Sequence, residues 1–69
     1  MKLAPAITAT EKQLLRALAA GASNKAIAQY LDKSEFTVRN QLSRLFKKIK
    51  AHNRLGAVNW WRSNQGPDA

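Results

Sequence analysis

The sequence predicts an all-α fold, a single small bundle of four helices. Three observations carry this. Four capping residues, Thr8, Ser23, Ser34 and Asn53, each stand just before a stretch whose apolar residues recur at helical spacing. No stretch alternates apolar and polar residues as a half-buried strand does, and no internal repeat or low-complexity block interrupts the chain. Finally, 69 residues, 45% of them hydrophobic, leave room for one core, and without cysteine that core is held by packing alone.

The first helix is expected from about Ala9 to Ala20. Thr8 and Glu11 make a Thr-x-x-Glu capping box, and Ile7 precedes it as a hydrophobic staple. Leu14, Leu15 and Leu18 form its buried face, and Gly21 supplies the left-handed residue that ends it. Ser23 caps a short second helix, about Asn24 to Leu31, whose Ile27, Ala28 and Leu31 face the core. Its box is incomplete, because Ala26 stands where the returning acid would be. Asp32 and Lys33 form a tight connection, and Ser34 caps a third helix that stops near Lys50 or Ala51, about 24 Å long. Asn53 caps a fourth, from Arg54 to about Arg62. There Ala57, Val58 and Trp61 share one face, making Trp61 a candidate core residue and leaving Trp60 turned away from it. Residues 1–6 read as an arm or linker, 7–62 as the domain and 63–69 as a flexible tail.

Two short helices joined by a tight turn make a helix-turn-helix. The third helix carries two registers. Val38, Leu42, Leu45 and Ile49 gather on one side, and Arg39, Asn40, Ser43, Lys47 and Lys50 gather on roughly the other. A merely solvated face would mix Glu with Lys, whereas the one acid here is Glu35, in the first turn, where the helix dipole favours it. Twelve Lys and Arg against four Asp and Glu give a net charge of +8, which calls for a polyanionic partner. Anchored by its apolar side, the helix can place its other side in a DNA major groove.

Side-chain chemistry assigns the roles on that face. Asn is a mediocre helix former, so Asn40 within a helix is a local sacrifice whose amide has the donor and acceptor to pair with adenine N6/N7. Arg39 has the fork for guanine O6/N7. Thr37, Arg44, Lys47 and Lys50 are candidates for phosphates, as are Ser23, Asn24 and Lys25 at a helix N-terminus with free backbone N–H groups. For any one of these lysines plain solvation is an equal reading. Phe36 falls among Arg39, Asn40, Ser43 and Lys47, either as a local staple over the Asp32–Lys33 turn or as a contact for a thymine methyl. Lys48 lies off the groove face, to be solvated or to meet another protein.

Other classes fare worse. Catalysis has no legible constellation: there is no Cys, and His52 is a lone surface histidine without metal-ligand companions. The four carboxylates are scattered through caps, a turn and the tail. No metal or cofactor is called for. A membrane-active amphipath would need one long apolar face rather than four capped helices, and no run approaches a membrane span. Met1 to Ile7 is too short for a signal peptide, so the chain reads as cytoplasmic. An RNA binder would show an aromatic platform. A module binding RNA polymerase or another regulator through the same helices stays open.

The residues from 7 to 58 also resemble the LuxR/GerE-type helix-turn-helix domain of bacterial transcription regulators. The marks are Thr8-x-x-Glu11, Leu15, Gly21, Ser23-Asn24-Lys25, Ile27-Ala28, Leu31, Ser34-Glu35-x-Thr37-Val38, Leu42, Lys48 and Asn53-Arg54 followed by Ala57-Val58. Their joint order and spacing carry the resemblance. Departures are Gln41 where the family often has His, Ala26 and Gly56 where Glu is common, and Arg39 for a frequent Lys. The resemblance implies sequence-specific binding of double-stranded DNA, base contacts at Arg39, Asn40 and Ser43, and a homodimer on DNA through the fourth helix. Trp60 is the interface candidate there. Whether the chain is whole or the excised end of a response regulator or autoinducer receptor is open at this stage.

Overall fold

The computed structural model describes residues 6–64, which form four helices: α1 (Ala9–Ala19), α2 (Asn24–Leu31), α3 (Glu35–Lys48) and α4 (Arg54–Asn64). The expected arm up to residue 5 and the tail from residue 65 lie outside the described residues. All four expected helices are present, and all four expected caps act. Thr8 Oγ1 accepts from the Glu11 N–H at 3.1 Å while Glu11 Oε1 accepts from the Thr8 N–H at 2.9 Å, a complete capping box. Ser23 Oγ accepts from the Ala26 N–H at 3.1 Å, Ser34 Oγ from the Thr37 N–H at 3.1 Å, and Asn53 Oδ1 from the Gly56 N–H at 2.8 Å.

Three helices end alike. After α1, Gly21 takes φ +86° and the Ala22 N–H reaches back to the Ala17 carbonyl at 3.0 Å. After α2, Asp32 takes φ +56° and the Lys33 N–H bonds the Ala28 carbonyl at 2.8 Å. After α3, Lys50 takes φ +59° and the Ala51 N–H bonds the Phe46 carbonyl at 2.8 Å. This is the Schellman pattern, in which one left-handed residue turns the chain and satisfies a terminal carbonyl. The left-handed turn at Lys50 ends α3 earlier than the sequence suggested: the helix has 14 residues, about 21 Å. At the other end of the chain α4 runs past Arg62 to Asn64, whose side-chain amide donates to the Trp60 carbonyl at 2.8 Å. Ser63 and Asn64, expected in the tail, are therefore helical.

α1 packs on α4 and α3, and α2 packs on α3. Leu14, Leu15, Leu18, Ile27, Ala28, Val38, Leu42, Leu45, Ile49 and Ala57 form the buried core. Ile7, the expected staple, and Leu31 pack against its edge, half-buried. The division expected on α4 is corrected. Trp60 and Trp61 are both half-buried and both pack against the core, because at 100° per residue they fall on either side of the buried Ala57. The fully buried residue of α4 is the small Ala57.

Candidate nucleic-acid interface

The helix-turn-helix is α2, the Asp32–Lys33 turn and α3. Val38, Leu42 and Leu45 bury one side of α3, with Ile49 sealing its end. That fixes the rotation of the helix, and the opposite side then points outward by the 100° step between residues. Phe36, Arg39, Asn40, Ser43, Arg44 and Lys47 are all exposed on it. Phe36, Asn40, Ser43 and Lys47, spaced i, i+4, i+7 and i+11, form its middle line, with Arg39 on one flank and Arg44 on the other. Phe36 is 69% exposed. Glu35 is the one carboxylate on the helix.

α2 presents its N-terminus beside this face. Asn24 lies in one open pocket with Arg39, Leu42, Ser43, Phe46 and Arg54, so one candidate phosphate residue of α2 and two candidate base readers of α3 share a surface. Arg54 is a residue that sequence reasoning gave no role. Its guanidinium donates to the Ala22 carbonyl and so ties the start of α4 to the loop that leads into α2. The signal available was only its place in the Asn53-Arg54 mark, because its partner is a backbone oxygen with no sequence mark. Thr37 is half-buried, and its Oγ1 accepts from the Ser34 hydroxyl at 2.9 Å, leaving its own O–H free to donate.

Four expected positions come out differently or acquire partners. Lys50, placed on the polar side by extending the helix, sits in the left-handed turn and lines a groove with Ile49, His52, Leu55 and Trp60. Arg44 borders the α1 side of α3, next to Thr10, Glu11 and Gln41. Lys48 makes an ion pair with Glu11, Nζ to Oε1 at 2.8 Å, clamping α1 to α3. That hydrogen bond, with the Thr8 N–H, holds the Glu11 carboxyl below the usual carboxylate range, against the opposing effect of burial. On α4 the exposed large apolar residue is Leu55, at 68%, rather than Trp60. The five apolar residues of α4, Leu55, Ala57, Val58, Trp60 and Trp61, are spread around the helix, which left its phase poorly marked in sequence.

The sequence that builds this arrangement, a buried seam under a basic outward face with a second helix end beside it, matches a known family model along most of the chain. The model for bacterial regulatory proteins of the luxR family covers residues 5–61. The chain belongs to the luxR family of bacterial regulatory proteins. It carries that family's DNA-binding helix-turn-helix domain, and the family is one of transcription regulators, not a class of enzymes. The LuxR-family domain is 48% identical over 58 residues to a probable csgAB operon transcriptional regulatory protein of Salmonella typhimurium, covering 84% of this chain and 27% of that one. It is 37% identical over 54 residues to the nitrate/nitrite response regulator protein NarL of Escherichia coli, covering 78% and 25%. With the transcriptional regulatory protein DesR of Bacillus subtilis it shares 38% over 52 residues, covering 75% and 26%. The chain thus spans about a quarter of the length of the curated relatives it matches. Among the described residues no helix is long and apolar enough to cross a membrane.

Proposed function

We propose that this domain reads specific double-stranded DNA for a bacterial transcription regulator by placing α3 in the major groove. The observation that carries the reading is the exposed row of Phe36, Arg39, Asn40, Ser43 and Lys47 above a fully packed apolar seam. A helix so anchored presents rigid side chains to a groove about 12 Å wide. Arg39, Asn40 and Ser43 contact base edges, with Phe36 against a thymine methyl. Ser23, Asn24 and Lys25 at the start of α2, with Thr37, Arg44 and Lys47 on α3, hold phosphates and set the register. The domain works in the cytoplasm, as a homodimer on paired half-sites through α4, where Leu55 and Trp60 border one groove. The relatives' names include response regulators, and by that likeness the domain is the output end of such a protein.

Selection of bound sites from a random duplex library tests this. An enriched motif in two half-sites, with affinity that falls steeply as salt rises, is the expected result. Each phosphate contacted adds about −0.9 to the slope of log K against log salt, so Lys25, Arg44 and Lys47 together call for roughly −3 per domain. A slope near zero with no enriched motif rejects the reading.

A further inference from the structure

We propose that the groove between α1 and α2 is a docking site for an acidic protein segment that inserts one aromatic or large aliphatic side chain. The groove is open and of about 450 Å³. Its floor is Ala17, Ala22, Ala26 and the buried Ile27, three small side chains around one large one, so a cavity remains where two helices meet. Tyr30 stands on the α2 lip, 73% exposed, the most exposed large apolar side chain described. Arg16 stands on the α1 lip. No lining residue is acidic, and the one ion pair among the described residues is Lys48–Glu11, so Arg16 has no carboxylate partner.

The shape selects the class of partner. A duplex offers phosphates and sugars, and its apolar thymine methyls lie inside a groove that only a protruding element can enter. A concave site rimmed by a tyrosine and an arginine instead receives a protruding side chain. Tyr and Arg beside a pocket are also the residue types that dominate protein interfaces. Charge complementarity supplies the rest: a cationic lip without counter-charge favours carboxylates flanking the inserted residue. The site is also preorganised. The Ala22 N–H bonds the Ala17 carbonyl at 3.0 Å, and the Ala22 carbonyl accepts from Arg54, so the loop at the base of the groove is held before any partner arrives.

No residue of α3 lines the groove. A partner seated there leaves the DNA face free, and a regulator can hold DNA and a second protein together. This simultaneous use rests on the reading that α3 takes DNA, whereas the groove itself does not. Ala26 occupies the third position of α2, where the Ser23 capping box lacks its returning acid. A Glu there would complete the Ser23 capping box, so Ala26→Glu keeps α2 sound while filling the groove and opposing an acidic ligand.

The test is selection of a random dodecapeptide display library on the full chain, with counter-selection on Ala26→Glu and melting curves as the folding control. The expected winners carry Asp or Glu around a single Phe, Trp, Leu or Ile, and bind with amide shifts at Ala17, Ala22, Ala26 and Tyr30. Tyr30→Ala and Arg16→Ala should each weaken them by about fivefold or more, and saturating random duplex DNA should leave them bound. No enrichment, winners without acids, or winners held equally by folded Ala26→Glu overturns the proposal. Displacement by duplex, or duplex-induced shifts confined to α1 and α2, assigns the groove to nucleic acid and overturns it too. Failure of the chain to bind any duplex would reject the DNA reading alone, since the peptide selection is scored without DNA as well.

Discussion

Arg39 and Lys47 are both exposed cations of α3, yet they are expected to fail differently when removed. A guanidinium paired with one base distinguishes sequences, whereas an ammonium on a phosphate does not. Arg39→Ala should cost roughly 1–3 kcal/mol on the specific site and relax preference at one base pair, while Lys47→Ala should weaken all duplexes alike. Competition of specific against random DNA separates them, and equal losses for Arg39→Ala would move Arg39 to the phosphate set. Phe36 admits a cleaner test now that its exposure is known. Little packing is lost in Phe36→Ala, so the melting temperature should hold within about a degree or two for a surface change. Discrimination of thymine from uracil at one position should fall by roughly 1 kcal/mol, on the order of one buried methylene. Unchanged discrimination would leave reading to the polar neighbours.

Each helix start is a local hydrogen-bond device, but the ties between elements come from long side chains and special backbone turns. Glu11 serves both, capping α1 and pairing with Lys48 of α3 across 37 residues of sequence. Its folded-state pKa is depressed, chiefly by the Lys48 hydrogen bond. The pair's contribution is therefore complete above about pH 4.3, the usual glutamate value, and is lost as the pH falls through the lower folded value. Glu11→Gln should lower stability at pH 7 by about 0.5 kcal/mol, the modest worth of a partly exposed pair, and flatten the loss of stability below pH 4. An unchanged acid limb in chemical denaturation would remove the clamp. Lys50 tests the turn that ends α3. A non-glycine residue in the left-handed region costs about 1–2 kcal/mol, so Lys50→Gly should raise stability by roughly 1 kcal/mol. Its place in the turn implies an unchanged salt slope for DNA binding. A slope shallower by about 0.9 would return Lys50 to the phosphate-contacting residues.

At the scale of the molecule, one core of ten residues supports three different surfaces: the α3 face, the α1–α2 groove and the outer side of α4. The last carries Leu55 but no acid, and its exposed charged residue is Arg62, since Arg54 is turned to the Ala22 carbonyl. Two copies brought together there gain little apolar area and place like charges near each other, so free dimers should be weak. DNA neutralises cations and supplies proximity, which makes the half-site pair the setting for dimerisation. Leu55→Ala should leave the melting temperature nearly unchanged yet reduce cooperative binding to paired half-sites. Trp60→Ala should reduce both, because Trp60 also packs against the core. A Leu55→Ala variant with full cooperativity in footprinting titrations would place the dimer contact elsewhere.

The helix starts at Thr8, Ser23, Ser34 and Asn53 were legible because a cap and its partner lie within three residues of each other. The two sides of α3 were legible for a similar reason: four large apolar residues at helical spacing set its rotation. Gly21 announced one left-handed turn and Asp32–Lys33 a tight connection, whereas Lys50 turns the chain in the left-handed conformation with no glycine to mark it, so the end of α3 was not readable. Nor was the phase of α4, whose inward line falls at the small Ala57, between the two indoles, and is set only when the helix packs on α1. The Glu11–Lys48 clamp, the anchoring of Arg54 on a backbone carbonyl and the cavity beside Tyr30 all arise between elements distant in sequence. Short-range pattern determines where helices begin and which side of a strongly patterned one is buried. Long side chains, left-handed turns and the gaps between helices are decided by the packing itself, because their partners are chosen only when the helices meet.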